Sequence, residues 1–94
     1  MSPSSERTVR MPADLHARPA GKLSRTAAGF RSSVVLTANG KEAEARSVLM
    51  VMSLGATSGT DVTVRAVGED ADLAVGTLAD MLATITGIDA AAAG

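Results

Sequence analysis

Two polar side chains in this sequence stand where chemistry is possible. The first is His16, the single histidine, in the run Leu15-His16-Ala17-Arg18-Pro19-Ala20. Pro19 fits the first turn of a helix, where its missing N–H loses no intrahelical bond. That places the helix start near Ala17 and puts His16 at the N-cap, a position better served by Ser, Thr, Asp or Asn. With so poor a cap, the N–H groups of Ala17 and Arg18 have no intrahelical partners. Together with the positive end of the helix dipole and the Arg18 charge they make an anion site. A neutral imidazole at the edge of such a site can accept and release a phosphoryl group, a transfer that needs positioning and charge stabilisation above all. A surface histidine with no chemical role fits the same residues.

The second is Ser47, which opens the apolar run Val48-Leu49-Met50-Val51-Met52 before Gly55. Serine is a good N-cap, so a short helix is expected from Val48 to about Ser53. Five consecutive apolar residues surround such a helix on all sides, and a helix lying on a sheet buries only part of its circumference. Either a neighbouring loop covers the remainder, or some of Val48, Leu49, Met50 and Met52 form an exposed patch for protein docking, which adaptable methionines suit.

These residues belong to a chain of 94 residues with 9 basic and 10 acidic side chains. One domain of this size buries roughly 60–65% of its unfolded surface. The absence of cysteine excludes disulfides and thiolate chemistry, and one histidine excludes a two-histidine zinc site. No apolar run approaches the roughly 20 residues of a membrane span. The polar start Met1-Ser2-Pro3-Ser4-Ser5 does not resemble a signal peptide, so a soluble, cytoplasmic protein is expected. Residues 1–47 carry eight basic and four acidic groups, net +4, whereas residues 48–94 carry one and six, net −5. The basic half suits acidic protein partners. Nucleic acid is disfavoured, because Phe30 is the only aromatic residue available for stacking.

The elements that must position His16 and Ser47 follow from periodicity. Arg7–Met11 alternates as a strand with Val9 and Met11 inward. Ala20, Leu23 and Ala27 mark a helix over Ala17–Ala28, stopped by Gly29. Arg18, Lys22 and Arg25 form a basic stripe on another of its faces. Val34 and Leu36 mark a second strand, Asn39-Gly40 a hairpin turn, and Lys41–Ala45 the return strand. Asp61–Val67 is a fourth strand. Ala71, Val75, Leu78, Leu82 and Ile85 share one face of a last helix over about Asp70–Thr86, with Asp70 as N-cap and Gly87 as stop. The expected architecture is α+β in the order β-α-β-β-α-β-α, a four-stranded antiparallel sheet with helices on one face. A flexible tail over residues 1–5, a domain over 6–87 and a frayed tail over 88–94 are expected.

The His16 run, the Ser47-Val48-Leu49-Met50-Val51-Met52-Ser53-Leu54-Gly55 segment and Asn39-Gly40-Lys41 resemble the HPr family. These are the histidine-containing phosphocarriers of the bacterial phosphoenolpyruvate-dependent sugar phosphotransferase system. The resemblance covers about residues 6–87 and implies an open-faced β-sandwich with three helices on one face. It also implies a phosphoryl carrier without turnover of its own, needing no metal or cofactor. By this resemblance His16 is phosphorylated on Nδ1 by enzyme I and passes the group to a sugar-specific IIA domain. Arg18 and the backbone N–H groups of Ala17 and Arg18 would steady the phosphate. Val48, Leu49 and Met52 would dock both partners inside a basic rim of Arg18, Lys22 and Arg25. In lineages with an HPr kinase/phosphorylase, Ser47 is the regulatory phosphorylation site.

Two alternatives stand beside this one. The first is a regulatory protein in which Ser47 switches binding to a transcription regulator; the second is a carrier serving a nitrogen or dihydroxyacetone-kinase branch. A monomer is expected from the small size and one-sided sheet. The sequence departs from the family pattern at Asp14 and Met50, both usually glycine. A carboxylate at Asp14 would either act on the imidazole and the incoming phosphate or point into solvent.

Overall fold

The computed structural model describes residues 3–86. Its elements are β1 (Ser4–Arg10), α1 (Ala17–Ala28), β2 (Ser33–Ala38), β3 (Lys41–Glu44), α2 (Val48–Ser53), β4 (Asp61–Val67) and α3 (Ala71–Ala83). Strand alternation decides the two faces of the sheet. Val34, Leu36 and Ala38 of β2, Ala43 of β3 and Val62, Val64 and Ala66 of β4 are all buried. Register places these residues side by side, with Leu36 opposite both Ala43 and Val64 and Val34 opposite Ala66. The other face is polar: the hydroxyls of Thr8 and Thr63 bond at 2.8 Å, and Arg10 meets Asp61 at 3.3 Å. A sheet with one apolar and one polar face takes its helices on the apolar side only. The strands run antiparallel in the order β1-β4-β2-β3.

The helices seat themselves with small residues. Ala20, Leu23 and Ala27 of α1 are fully buried, and so is the α3 row of Ala71, Val75, Leu78 and Leu82 or very nearly so. Alanine on a packed face lets a helix axis approach the sheet closely, which suits a core with no tryptophan or tyrosine. Between β2 and β3, Asn39 and Gly40 have φ of 53° and 75°, the left-handed pair that a two-residue hairpin requires.

Several boundaries differ from the expected ones. Strand β1 begins at Ser4, so the tail over residues 1–5 is shorter than expected: Ser4 and Ser5 pair with Val67 and Ala66. Ser5 and Arg7 fall on the same face as Val9, which breaks the apolar alternation; it is backbone pairing with the seven-residue β4 that carries the strand through them. Arg7 resolves its position by reaching Asp80 of α3 at 3.5 Å. Strand β3 ends at Glu44, although the Ala45 N–H still donates to the Val34 carbonyl at 3.0 Å. Gly29 ends α1, but in right-handed backbone with φ −81°, and so without the left-handed glycine cap. Helix α3 stops at Ala83. There the β-branched Thr84 turns its hydroxyl onto the Asp80 carbonyl at 2.9 Å, and Ile85 and Thr86 follow, a run that disfavours helix. Gly87 and the tail over 88–94 lie outside the described residues.

Asp70 occupies the N-cap of α3 as expected, yet its side chain does not cap the helix. Its carboxylate accepts bonds from the Arg31 N–H at 2.9 Å, the Ser32 N–H at 2.9 Å and the Ser32 hydroxyl at 2.5 Å. This bracket joins the α1–β2 connection to the start of α3. Gly68 permits it: a Cβ there would stand 2.6 Å from the Ser32 hydroxyl oxygen and 2.7 Å from its Cα, and φ is 147°. The Ser32 hydroxyl first, and the Arg31 N–H next, hold the Asp70 carboxyl below its ordinary 3.8. A depressed folded-state value means the carboxylate stabilises the fold fully above about 3.8, and that this contribution disappears as pH falls through the lower folded value. Thermal unfolding followed from about pH 7 to about pH 2 should therefore show a lower midpoint for Asp70→Ala at neutral pH. The difference from wild type should shrink through the acid range.

Candidate functional site

Helix α1 begins where the chain leaves a tethered connection. The Met11 N–H donates to the Thr60 carbonyl and the Gly59 N–H to the Met11 carbonyl, each at 2.8 Å, while the Leu15 N–H reaches the Ala56 carbonyl at 2.9 Å. Leu15 is buried, His16 exposed and Ala20 buried again, so the histidine stands between two anchors in the core. It occupies the N-cap of α1 with extended backbone (φ −80°, ψ 174°) and makes no side-chain capping bond. The first intrahelical bond runs from the Ala20 N–H to the His16 carbonyl at 3.0 Å. By helix geometry the N–H groups of a first turn have no intrahelical carbonyl to reach, and they lie at the helix's positive end. Among the three residues of that turn, Pro19 has no N–H to satisfy.

Arg18, Lys22 and Arg25 are all exposed, and neither α1 nor α2 contains an acidic residue. The charged side chains of α1 are therefore all positive, and α2 carries none of either sign. Arg18 and Lys22 also border a groove of about 230 Å³ between α1 and α3, floored by Pro19, Leu23, Met81 and Ile85. Its lining does not include His16.

Helix α2 packs against α1 and β3. Ser47 is its N-cap, the hydroxyl oxygen accepting the Met50 N–H at 3.2 Å. Val51 is fully buried, whereas Leu49 is 83% exposed, Met50 44% and Met52 41%. The structure thus leaves an apolar patch uncovered, and not quite the expected one. Leu49, Met50 and Met52 are on the surface, whereas Val48 packs against the core. The physical reason is the helical repeat: Val51 points into the core, and Val48, three residues earlier, shares its side. The far end of α2 is held by Asn39, whose amide donates to the Leu54 carbonyl at 2.9 Å and the Gly55 carbonyl at 3.2 Å. Sequence reading found Asn39 only as a turn residue; its second role has no local signal. Asp14, expected either to act on the histidine or to face solvent, is exposed, and its Oδ1 accepts the Ser58 N–H at 2.8 Å. Among the described residues no group of three or more His, Cys, Asp or Glu is placed to hold a metal ion. No helix among them is long and apolar enough to cross a membrane.

A family model described as the PTS HPr component phosphorylation site matches residues 3–84. The phosphocarrier protein HPr of Mycoplasma capricolum is 41% identical over 61 residues, covering 65% of this chain and 68% of that one. Its counterpart from Xylella fastidiosa is 40% identical over 76 residues, 81% and 85% of the two chains. The crystal structure of HPr from Bacillus anthracis superposes with a TM-score of 0.79 at 28% identity, over 84% of this chain and 96% of that one.

The α2 geometry separates two effects that urea unfolding can measure. Ser47→Ala removes the cap bond and is expected to cost about 1 kcal/mol. Leu49→Ala removes an exposed side chain and should stay within about 0.5 kcal/mol of wild type.

Proposed function

This chain belongs to the HPr family of phosphocarrier proteins of the phosphotransferase system, and on that premise we propose that His16 carries the phosphoryl group between phospho-enzyme I and a IIA domain. The observation that supports this most is the exposed His16 at the N-cap of α1, its imidazole unused in capping. A ring nitrogen of neutral His16, Nδ1 by resemblance to the family, attacks the phosphorus of the phosphohistidine on enzyme I. The new N–P bond forms as the old one breaks, and the leaving imidazole keeps the electron pair. Charge on the equatorial oxygens is met by the guanidinium of Arg18, the first-turn amides of Ala17 and Arg18, and the helix dipole, worth about half an elementary charge. The same displacement, with a IIA histidine as attacker, hands the group on.

Donor and acceptor must both reach one nitrogen, so they share one docking surface. Leu49, Met50 and Met52 supply its apolar part, with Val48 supporting them from beneath, and Arg18, Lys22 and Arg25 supply its rim. Burying a side chain such as Leu49 against a partner contributes about 1.5–3 kcal/mol. A patch of three such residues suits a contact that forms and releases quickly, steered by charge and weakened by salt. Ser47 stands at the edge of this patch. Phosphorylation there would add roughly −1.5 to −2 charges beside the apolar residues, at the end of α2 where the helix dipole tolerates them.

Incubation with phosphoenolpyruvate and enzyme I tests the carrier role. Wild type should gain acid-labile phosphate and His16→Ala none; no label on wild type beside a labelled control HPr would overturn it. Ser47→Asp should be phosphorylated at His16 more slowly than wild type, with little change in fold by circular dichroism. Equal initial rates would remove the regulatory part of the proposal.

A further inference from the structure

The position of His16 depends on residues 11–15, which lead from the end of β1 to α1. Met11 secures one end of this segment through its two bonds to Gly59 and Thr60, and Leu15 secures the other through Ala56. Between the anchors Pro12 has no N–H to offer, and the facing turn presents the amide of Ser58. Asp14 fills this gap. Its Oδ1 accepts the Ser58 N–H at 2.8 Å, and its main-chain carbonyl accepts the His16 N–H at 3.1 Å. The turn it grips is itself closed, with the Thr60 N–H donating to the Thr57 carbonyl at 2.9 Å and the Thr57 N–H to the Thr60 hydroxyl at 3.1 Å. One residue therefore joins the backbone of the histidine to a preformed turn 44 positions further along the chain. Because the His16 side chain makes no capping bond, the backbone it rides on governs where the ring points.

We propose that Asp14 is a positioning residue for phosphoryl transfer: its carboxylate clamps the 11–15 segment to the Thr57–Thr60 turn and so holds the His16 imidazole in attack geometry. The inference rests on the reading of His16 as the phosphoryl acceptor. Glycine, which the resemblance to the family leads one to expect at this position, has no side chain with which to form the clamp. A carboxylate oxygen accepting an amide N–H makes a charge-assisted bond, stronger than its neutral counterpart. The requirement is nevertheless an acceptor at this point, which an asparagine side chain also supplies.

The test compares wild type, Asp14→Asn and Asp14→Ala by phosphorylation kinetics with phosphoenolpyruvate and enzyme I, and by amide hydrogen exchange. Misplacing a reacting group by about 1 Å can cost about a hundredfold, so a loosened segment that still visits the right geometry should lose about three- to tenfold. That loss is expected in the maximal rate of Asp14→Ala at unchanged KM for enzyme I, since the α2 patch is untouched, with Asp14→Asn within about twofold of wild type. The Ser58 amide, read relative to amides of β4 so that global destabilisation is separated, should exchange about tenfold faster in Asp14→Ala and near wild type in Asp14→Asn. Wild-type rates in Asp14→Ala, or an Asp14→Asn as slow as Asp14→Ala, would overturn the proposal. If enzyme I labels none of the three while labelling a control HPr, the carrier reading fails. The Ser58 exchange then still judges the clamp by itself, and unchanged exchange in Asp14→Ala overturns it.

Discussion

Leu36 of β2 and Val64 of β4 face each other with no exposed surface, and the layer they define sets the remainder of the structure. Their side of the sheet is lined by valine, leucine and alanine, while the reverse side carries Thr8, Thr63, Arg10 and Asp61. An apolar layer can form on one side only, so α1, α2 and α3 must share it. Three helices on a four-stranded sheet leave little room. The chain meets this limit with alanines on the packed faces of α1 and α3, and with an α2 of six residues. Crowding on one side is what brings α1 and α2 into contact.

The two helices in contact each carry a locally unfavourable feature. Helix α1 begins with histidine in place of a good cap, a choice that forgoes about 1 kcal/mol of helix stability. Helix α2 is apolar over its first five residues although the core accepts Val51 and part of Val48. Each would be a defect in a domain selected for stability only. One leaves an exposed histidine at a helix start and the other an uncovered apolar patch, and local rules are expected to yield where a site is built.

The site is held mainly by backbone rather than by its own side chains. Met11, Leu15, Gly59 and Thr60 connect the segment before His16 to the turn before β4, and Asn39 connects the hairpin to the end of α2. Asp70 closes the opposite end of the molecule in the same manner, with a carboxylate gathering two amides and a hydroxyl. In each case a short polar side chain or a carbonyl takes up N–H groups that secondary structure leaves over. His16 and the surface residues of α2 stay exposed on backbone that is held in this way.

Much of this was legible in the residues. The spacing of Ala20, Leu23 and Ala27, with Pro19 before them, yields the bounds of α1 and so the N-cap position of His16. Asn39-Gly40 yields the hairpin, and Ser47 with the apolar run yields α2 and the expectation of an uncovered patch. These are local facts, carried by periodicities of two and 3.6 residues and by turn chemistry within a few positions. The strand order β1-β4-β2-β3 was not legible, because alternation says which face a residue takes and not which strand lies beside it. The start of β1 was hidden for a related reason: Ser5 and Arg7 belong to the strand through β4's backbone, to which side-chain polarity gives no guide. The partial burial of Val48, the second role of Asn39, the diverted carboxylate of Asp70 and the bond from Ser58 to Asp14 all depend on segments distant in sequence meeting in space. The sequence by itself determined the elements and the chemistry available at His16 and Ser47. Only the tertiary structure decided which groups hold them in place, because a leftover N–H takes whichever acceptor the fold brings within about 3 Å.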